Sequence, residues 1–491
     1  MTTLTLRQAR GRYLVLLGLR WFPVGLMIPV LTLLMLERGL SLPQIGLVVA
    51  AQGLVVLLLE LPTGGLADAI GRKPVLVAAS LLSLGSIALL AVADSIGLFL
   101  VVFVLQGIFR ALDSGPLDSW YVDAVLAADP DADLERGLGG GGAVLGLAVG
   151  AGALISGGLV ALGPIGGISA LTVPVLIAFV LQVVALVALV VLLPEVRSAR
   201  GVVALRESLR GVPTAIGGAF GLLRRSRILV ALVAVELFWG FGMVTFETLL
   251  PVRLSEVLGD PERAAALLGP AGSVAWLASA AGAGLAPMLS RRIGVAPAAA
   301  LLRIVQGGTV VGMGLLAGPV GVVAAYLACY LVHGASNPLH LGLLHRQVDG
   351  PYRTSVISLN SMVSQPAGAL GGVVLTGVAG ATSVSTAMLV GAVVLAVAAP
   401  LYLPAWRATR RSPAVLPQAP SDRLVPSDRS VAPDRSVAPD RLVAPDGSVS
   451  TGAPVPAAVD GARSGVSAPG SGSGANPTDV RGIEPAKPSR S

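Results

Sequence analysis

The sequence predicts an all-α membrane protein of twelve transmembrane helices in two six-helix halves, with both termini in the cytoplasm. Three observations carry that prediction. The chain is 54% hydrophobic and 12% charged, with a mean hydropathy of +0.82, whereas a soluble domain carries about 25% charged residues. Apolar runs separated by short polar breaks fill the chain up to the residues around Arg411. Crossing a bilayer as a helix takes about 20 such residues, and a membrane barrel would instead alternate apolar and polar positions. Finally, basic residues collect in alternate breaks, as they do in cytoplasmic loops.

Read by these runs and breaks, the spans fall at 13–36, 44–66, 74–94, 96–117, 139–162 and 168–193, then at 228–251, 264–289, 296–317, 320–342, 354–378 and 382–404. With the N-terminus inside, the inner segments hold twenty basic residues, and the outer loops hold only Arg38, Arg253 and Arg263. The longest core loop lies between spans six and seven. In it, Val202, Leu205 and Leu209 oppose Arg206 and Arg210, which predicts a short amphipathic helix on the inner membrane surface. The chain therefore divides into a first half at 1–193, a linker at 194–227, a second half at 228–405 and a tail at 406–491. In the tail, Asp422, Asp428, Asp434, Asp440 and Asp446 recur every six residues, and Gly, Ser and Pro follow. Such a segment cannot bury enough apolar surface to offset its ordering entropy, so it reads as a disordered cytoplasmic tether.

Composition also excludes several classes. The net charge of +7 belongs to the membrane part, because the basic and acidic residues from Ser412 to Ser491 balance; the high isoelectric point reflects topology and not a nucleic-acid surface. Cys329 is alone and can form neither an internal disulfide nor a cysteine metal cluster. GLGGGGAVLG lacks the lysine–serine pair of a nucleotide loop, and no zinc motif or nucleophile elbow is present. No enzyme activity, cofactor or metal is expected. The N-terminus leads directly into a full-length span, which is expected to remain as an anchor. Lysine is confined to Lys73 and Lys487 while Arg, Ala, Gly and Val abound. That bias suggests a GC-rich bacterial genome, and hence the bacterial inner (plasma) membrane. The protein is expected to act as a monomer.

The stretch GGLADAIGRKPVL, Gly64–Leu76, is the expected inner turn between spans two and three. Gly64 and Gly71 permit unusual dihedrals, Pro74 suits a first helical turn, and Arg72 and Lys73 hold the turn on the inner face. Asp68 is the surplus. A carboxylate at a helix end can cap a helix or pair with an arginine of a neighbouring span.

The pattern Gly-x-Leu-Ala-Asp-x-x-Gly-Arg-Lys, here Gly64, Leu66, Ala67, Asp68, Gly71, Arg72 and Lys73, resembles the loop signature of the major facilitator superfamily. Ala69 stands where that signature is commonly basic, and the preceding ELPTG resembles drug-efflux members. A degenerate echo, GLAPMLSRRIG, lies one half later at Gly284–Gly294, as expected of parallel repeats. The resemblance covers roughly residues 10–405. It implies that the loop is an inner gate, with Asp68 bonding across the interface between halves when the outside is open.

Ionisable side chains inside spans cost about 2.5–3.5 kcal/mol each to insert, so they mark functional candidates. In span four, Gln106, Arg110 and Asp113 follow i, i+4, i+7 and share a face. RALDSG resembles the family's fourth-helix motif, whose arginine is implicated in proton coupling. Arg110 and Asp113 could equally neutralise each other, while Asp118 and Asp123 read as loop charges. In span seven, Glu236 and Glu247 lie eleven residues apart on one predicted face, about 16 Å along the helix, with Trp239, Gly240 and Met243 between them. Glu236 is the one expected to be buried. In span ten, Tyr326, Tyr330, His333, Asn337 and His340 form a polar stripe. Arg20 beside Trp21 adds a charge to span one. In the family fold, spans one, four, seven and ten line the central cavity. Arg303 in span nine lies near enough to the inner end to snorkel.

In span five, Gly142, Gly146 and Gly150 repeat every four residues, a helix-packing pattern. Antiporter members have a glycine–proline motif here, and this sequence has Gly150–Ala151. The expected function is secondary transport by alternating access, as a proton-coupled exporter (an antiporter) of a lipophilic or cationic small molecule. Protons would load onto Glu236 or Asp113. The alternative is an importer of an anionic metabolite, which Arg20 and Arg110 would suit. A membrane receptor or enzyme ranks behind both.

Overall fold

The protein is described by a computed structural model covering residues 4–194, 226–347 and 353–411, with Gly221 and Leu223 besides. The side chains at 61, 62, 64, 65, 68, 69, 135, 353–359, 361 and 411 are outside that description. The expected amphipathic helix at 202–210 and the tail beyond Arg411 also lie outside it.

Among the described residues the chain is helical nearly throughout. Eleven helices are long and apolar enough to cross a membrane, or twelve when one bent pair is counted as a single span. That pair is α1, Leu6–Met27, and α2, Leu31–Glu37, which meet at 40°. Thr5 and Gln8 close a capping box at the start of α1. Pro29 has no N–H to continue the ladder, so the span expected as one helix bends there. Next come α3, Leu42–Ile70, and α4, Arg72–Val92, joined by Gly71 alone.

The fourth span is broken as well. Helix α5, Ile96–Asp113, stops at Ser114 and Gly115, the latter with φ +92°, and α6, Pro116–Ala128, resumes. Sequence pattern ended this span at 117 because Asp118 and Asp123 follow. The helix continues because Leu117, Trp120, Tyr121, Ala124 and Val125 form a buried stripe beside Tyr13, Leu16 and Leu17 of α1. The two aspartates therefore belong to a helix and not to a loop. Helices α7, Glu135–Ala161, and α8, Val173–Leu192, complete the first group.

The second group opens with α9, Arg227–Val244, a five-residue π-turn at Thr245–Leu249 and α10, Leu250–Leu258. Asp260 accepts from the Glu262 and Arg263 amides and caps α11, Pro261–Ile293. Then follow α12, Val295–Leu315, α13, Pro319–His345, and α14, Arg353–Ala381. Helix α15, Val384–Val397, passes through a 3-10 turn at Ala399–Tyr402 into α16, Leu403–Arg411.

Helix α1 packs on α7 and α8, α3 on α5, and α4 on α5 and α8. Helix α9 packs on α14, α11 on α13, and α12 on α13 and α15. The two sets meet chiefly where α3 lies on α14 and α7 on α11. At the second seam a Cβ on Gly157 would sit 2.8 Å from the Gly269 Cα, so both positions require the smallest residue. In the expected glycine series, Gly150 faces Ser273 and Gly146 faces Trp276 at the same seam, while Gly142 meets nothing within 4 Å. Large apolar side chains such as Leu58, Leu147, Val191 and Leu277 stand exposed on the outside. Water would penalise such a surface and a bilayer would not.

Candidate functional site

A cavity of about 1030 Å³ lies between the two helix sets. Of the expected site residues, Arg20, Gln106, Arg110, Asp113, Glu247 and Tyr330 line it. Glu236, His333 and Asn337 are not among its lining residues.

Helices α1 and α5 supply one wall. Arg20 forms an ion pair with Asp113, whose side chain is only 5% exposed. The Arg20 guanidinium also lies 4.6 Å from the Trp21 ring centre, a cation–π contact. Asp113 thus pairs with Arg20 of another helix and not with Arg110, its neighbour one turn away. Arg110 is exposed to the cavity in the last turn of α5. Gln106 contacts Gln52 of α3 at 3.4 Å.

The opposite wall is aromatic and carries one carboxylate. Tyr326 and Tyr330 meet edge to face at 4.9 Å, Phe246 stands edge-on to Tyr330 at 5.9 Å, and Trp239 lies 5.6 Å from Phe246. Glu247 sits in the π-turn with its side chain exposed to the cavity. π-Turns inside α-helices recur at functional positions. Glu236 lies about three turns back along the same span, outside the cavity lining.

Glu236 belongs instead to a sealed polar cluster within the second group. Its Oε1 lies 3.2 Å from His340 Nε2, and His340 Nδ1 lies 2.9 Å from the Tyr402 hydroxyl. One tautomer satisfies both contacts: Nε2–H donates to the carboxylate and Nδ1 accepts from the tyrosine. Asn360 Oδ1 approaches the same Nε2 at 3.4 Å, and Asn360 also bonds Glu236. Arg303, 3% exposed, donates to Gln306 Oε1 at 3.1 Å and bonds Tyr402. Its guanidinium lies 5.2 Å from the Trp239 ring centre. Arg303 does not snorkel: it is a buried charge enclosed by polar and aromatic partners. His333 stacks on Trp239 at 4.5 Å and 6°, and Asn337 is exposed. The stripe expected along span ten is therefore divided. Tyr326 and Tyr330 face the cavity, His333 backs the indole, and His340 anchors the cluster.

At the α3–α4 junction, Gly71 has φ +97° and ψ 153°, and its N–H bonds the Ala67 carbonyl at 3.1 Å. Any Cβ would be strained at that φ. Gly64 and Asp68 lie inside α3, not in a turn, because the helix runs on to Ile70. The Asp68 side chain is outside the described residues. Arg72 pairs with Asp123 of α6 and donates to the Ser119 carbonyl, and Lys73 Nζ donates to the Val190 carbonyl at 2.8 Å. Asp118 accepts from the Tyr13 hydroxyl at 2.8 Å. The junction of α11 and α12 repeats the turn: Gly294 has φ 89° and ψ 156°, with its N–H on the Ser290 carbonyl at 2.8 Å. Among the described residues no group of His, Cys, Asp and Glu is placed to hold a metal.

The family model for the major facilitator superfamily matches residues 14–372. The chain belongs to the major facilitator superfamily. As a member, it is a membrane transporter and not an enzyme. Solved superfamily-like structures share the fold. A mutant of the nucleoside transporter NupG is 16% identical with a TM-score of 0.67, covering 80% of this chain and 99% of that one. A peptide transporter in complex with sulfate is 15% identical with a TM-score of 0.64, covering 82% and 95%. A bacterial homologue of the human lysosomal transporter Spinster, inward-facing and occupied, is 14% identical with a TM-score of 0.64, covering 82% and 98%. No curated protein sequence matches this superfamily member.

Residues that sequence pattern did not single out complete the site. Gln52 and Gln365 line the cavity, and Asn360 and Tyr402 belong to the cluster. Amide and phenol side chains carry no charge to betray them, and only the fold brings them to these places.

Proposed function

We propose that this transporter is a proton-coupled exporter of a lipophilic or cationic small molecule. It works by alternating access between residues 1–193 and 228–405, with linker 194–227 and both termini in the cytoplasm. The reading takes it to be a monomer in the bacterial plasma membrane. One observation supports it above the others: Asp113 faces the substrate-sized cavity and is held there by Arg20. Protonation of Asp113 and its pairing with Arg20 exclude each other, because a neutral carboxyl no longer holds the guanidinium. A proton entering the cavity therefore releases Arg20, and a proton leaving restores the pair. The carboxylate of Glu247 among Trp239, Phe246 and Tyr330 is a suitable seat for an organic cation.

A second reading, import of an anionic metabolite, is favoured by Arg110, also exposed to the cavity. The nucleosides and peptides in the names of the similar structures belong to those proteins, and at this identity they select no substrate here. Transport into proteoliposomes under an imposed pH gradient, with dyes, drugs and metabolites as candidates, separates the readings. Organic-cation movement against the proton gradient supports export. Anion accumulation with the gradient, and no cation movement, supports import.

A further inference from the structure

Six acidic or basic side chains line the cavity: Arg20, Glu60, Arg110, Asp113, Asp118 and Glu247. Four of them are engaged. Arg20 holds Asp113, Asp118 accepts from Tyr13, and Glu60 is also partnered. Arg110 and Glu247 remain. Both side chains are exposed to the cavity, and neither forms an ion pair among the described residues. They come from opposite walls, Arg110 from α5 and Glu247 from the π-turn after α9. Arg110 is the charged neighbour of Glu247 across the space, and Arg20 stands near Arg110 on its own wall.

We propose that the cavity selects a zwitterionic ligand with an aromatic or similarly lipophilic body, its anionic group on Arg110 and its cationic group on Glu247. The inference rests on the transport reading and adds an anionic group to the cationic substrate proposed there. A ligand with only a cation satisfies Glu247 and leaves Arg110 a like charge nearby. A ligand with only an anion leaves Glu247 in the same position. A zwitterion satisfies both, and its body lies along Trp239, Phe246 and Tyr330, which offer flat apolar faces. Because the two charges stand on the two helix sets, one bound molecule ties the sets together, so occupancy itself favours closure over the cavity.

Three probes share one indole body and differ only in charge: tryptophan (zwitterion), tryptamine (cation) and indole-3-propionate (anion). Binding of each, radiolabelled, to the purified full-length protein in nanodiscs tests the inference without requiring transport. Tryptophan is expected to bind at least tenfold more tightly than either of the others. Arg110→Gln is expected to remove its advantage over tryptamine, and Glu247→Gln its advantage over indole-3-propionate. Arg110→Lys and Glu247→Asp keep both charges and are expected to keep the order of affinities, which guards against variants that merely fold badly. Equal affinities, no binding of any probe, or an order that survives both neutral substitutions overturns the inference. If tryptophan binds as expected but is not moved across proteoliposomes, the transport reading fails while the inference stands.

Discussion

Span seven carries two carboxylates, and the protein treats them in opposite ways. Glu247 opens into the cavity with aromatic rings around it and an arginine across the space. Glu236, about three helical turns away, is 7% exposed and enclosed by His340, Asn360 and Arg303. The first can exchange partners with a ligand; the second already has them. Position inside the membrane is therefore not enough to mark an ionisable residue as a transport residue. What separates the two is whether their hydrogen-bonding capacity is filled by the protein.

This contrast makes removal of a sealed charge the largest expected effect. Arg303→Leu leaves Glu236 and Tyr402 without their cation, and breaking a buried charge network costs about 3–5 kcal/mol. Thermal unfolding in detergent should show that loss, whereas Arg110→Gln should stay within about 0.5 kcal/mol of wild type, as exposed positions do. Equal stability losses in the two variants would erase the distinction between cluster and cavity.

A smaller effect is expected at the helix end carrying Asp68. If its carboxylate holds a gate through a charge-assisted bond, Asp68→Asn should cost the outward-open state about 1.5–3 kcal/mol. A balanced equilibrium would then shift more than tenfold toward inward-open, while stability and cavity binding persist. Labelling of single cysteines on either side of the cavity reports that shift, and unchanged labelling would reduce Asp68 to a helix-end charge. Smallest of all is the tail. Truncation after Arg411 should leave melting temperature and transport near wild type, because the removed sequence is charge-balanced and poor in residues that bury. A truncated protein that reaches the membrane and no longer transports would give the tail a role.

The spans were readable because each is an apolar run bounded by Gly, Pro or charge. Gly71 and its echo Gly294 were readable for the same reason, and both adopt positive φ. The bend at Pro29 had a local signal too. The π-turn at Thr245–Leu249 had none: it is a matter of register, which residue periodicity assumes and does not measure. The break at Ser114–Gly115 had a signal in Ser-Gly-Pro that the span reading passed over, whereas the continuation into α6 depends on Tyr13 and Leu17 of a distant helix covering Trp120 and Tyr121. Arg303 was misread because a long side chain two turns from a membrane edge is compatible with snorkelling. Only the arrival of Tyr402 and Trp239 from other spans makes it a buried partner. Asp113 had only Arg110 in view as a partner, and the packing of α1 on α6, which continues α5, brings Arg20 to it instead.

The proposed mechanism has the cavity couple substrate to protons through Asp113. Its most direct test is accumulation of a lipophilic cation, ethidium, in inside-acid inverted vesicles bearing wild type or Asp113→Asn. The substitution keeps the shape, removes the exchangeable proton and leaves Arg20 unpaired. The account predicts wild-type accumulation that a protonophore abolishes. With Asp113→Asn it predicts only equilibration, with no response to external pH. Accumulation by Asp113→Asn that equals wild type and still collapses with the protonophore would contradict it and place the coupling group elsewhere.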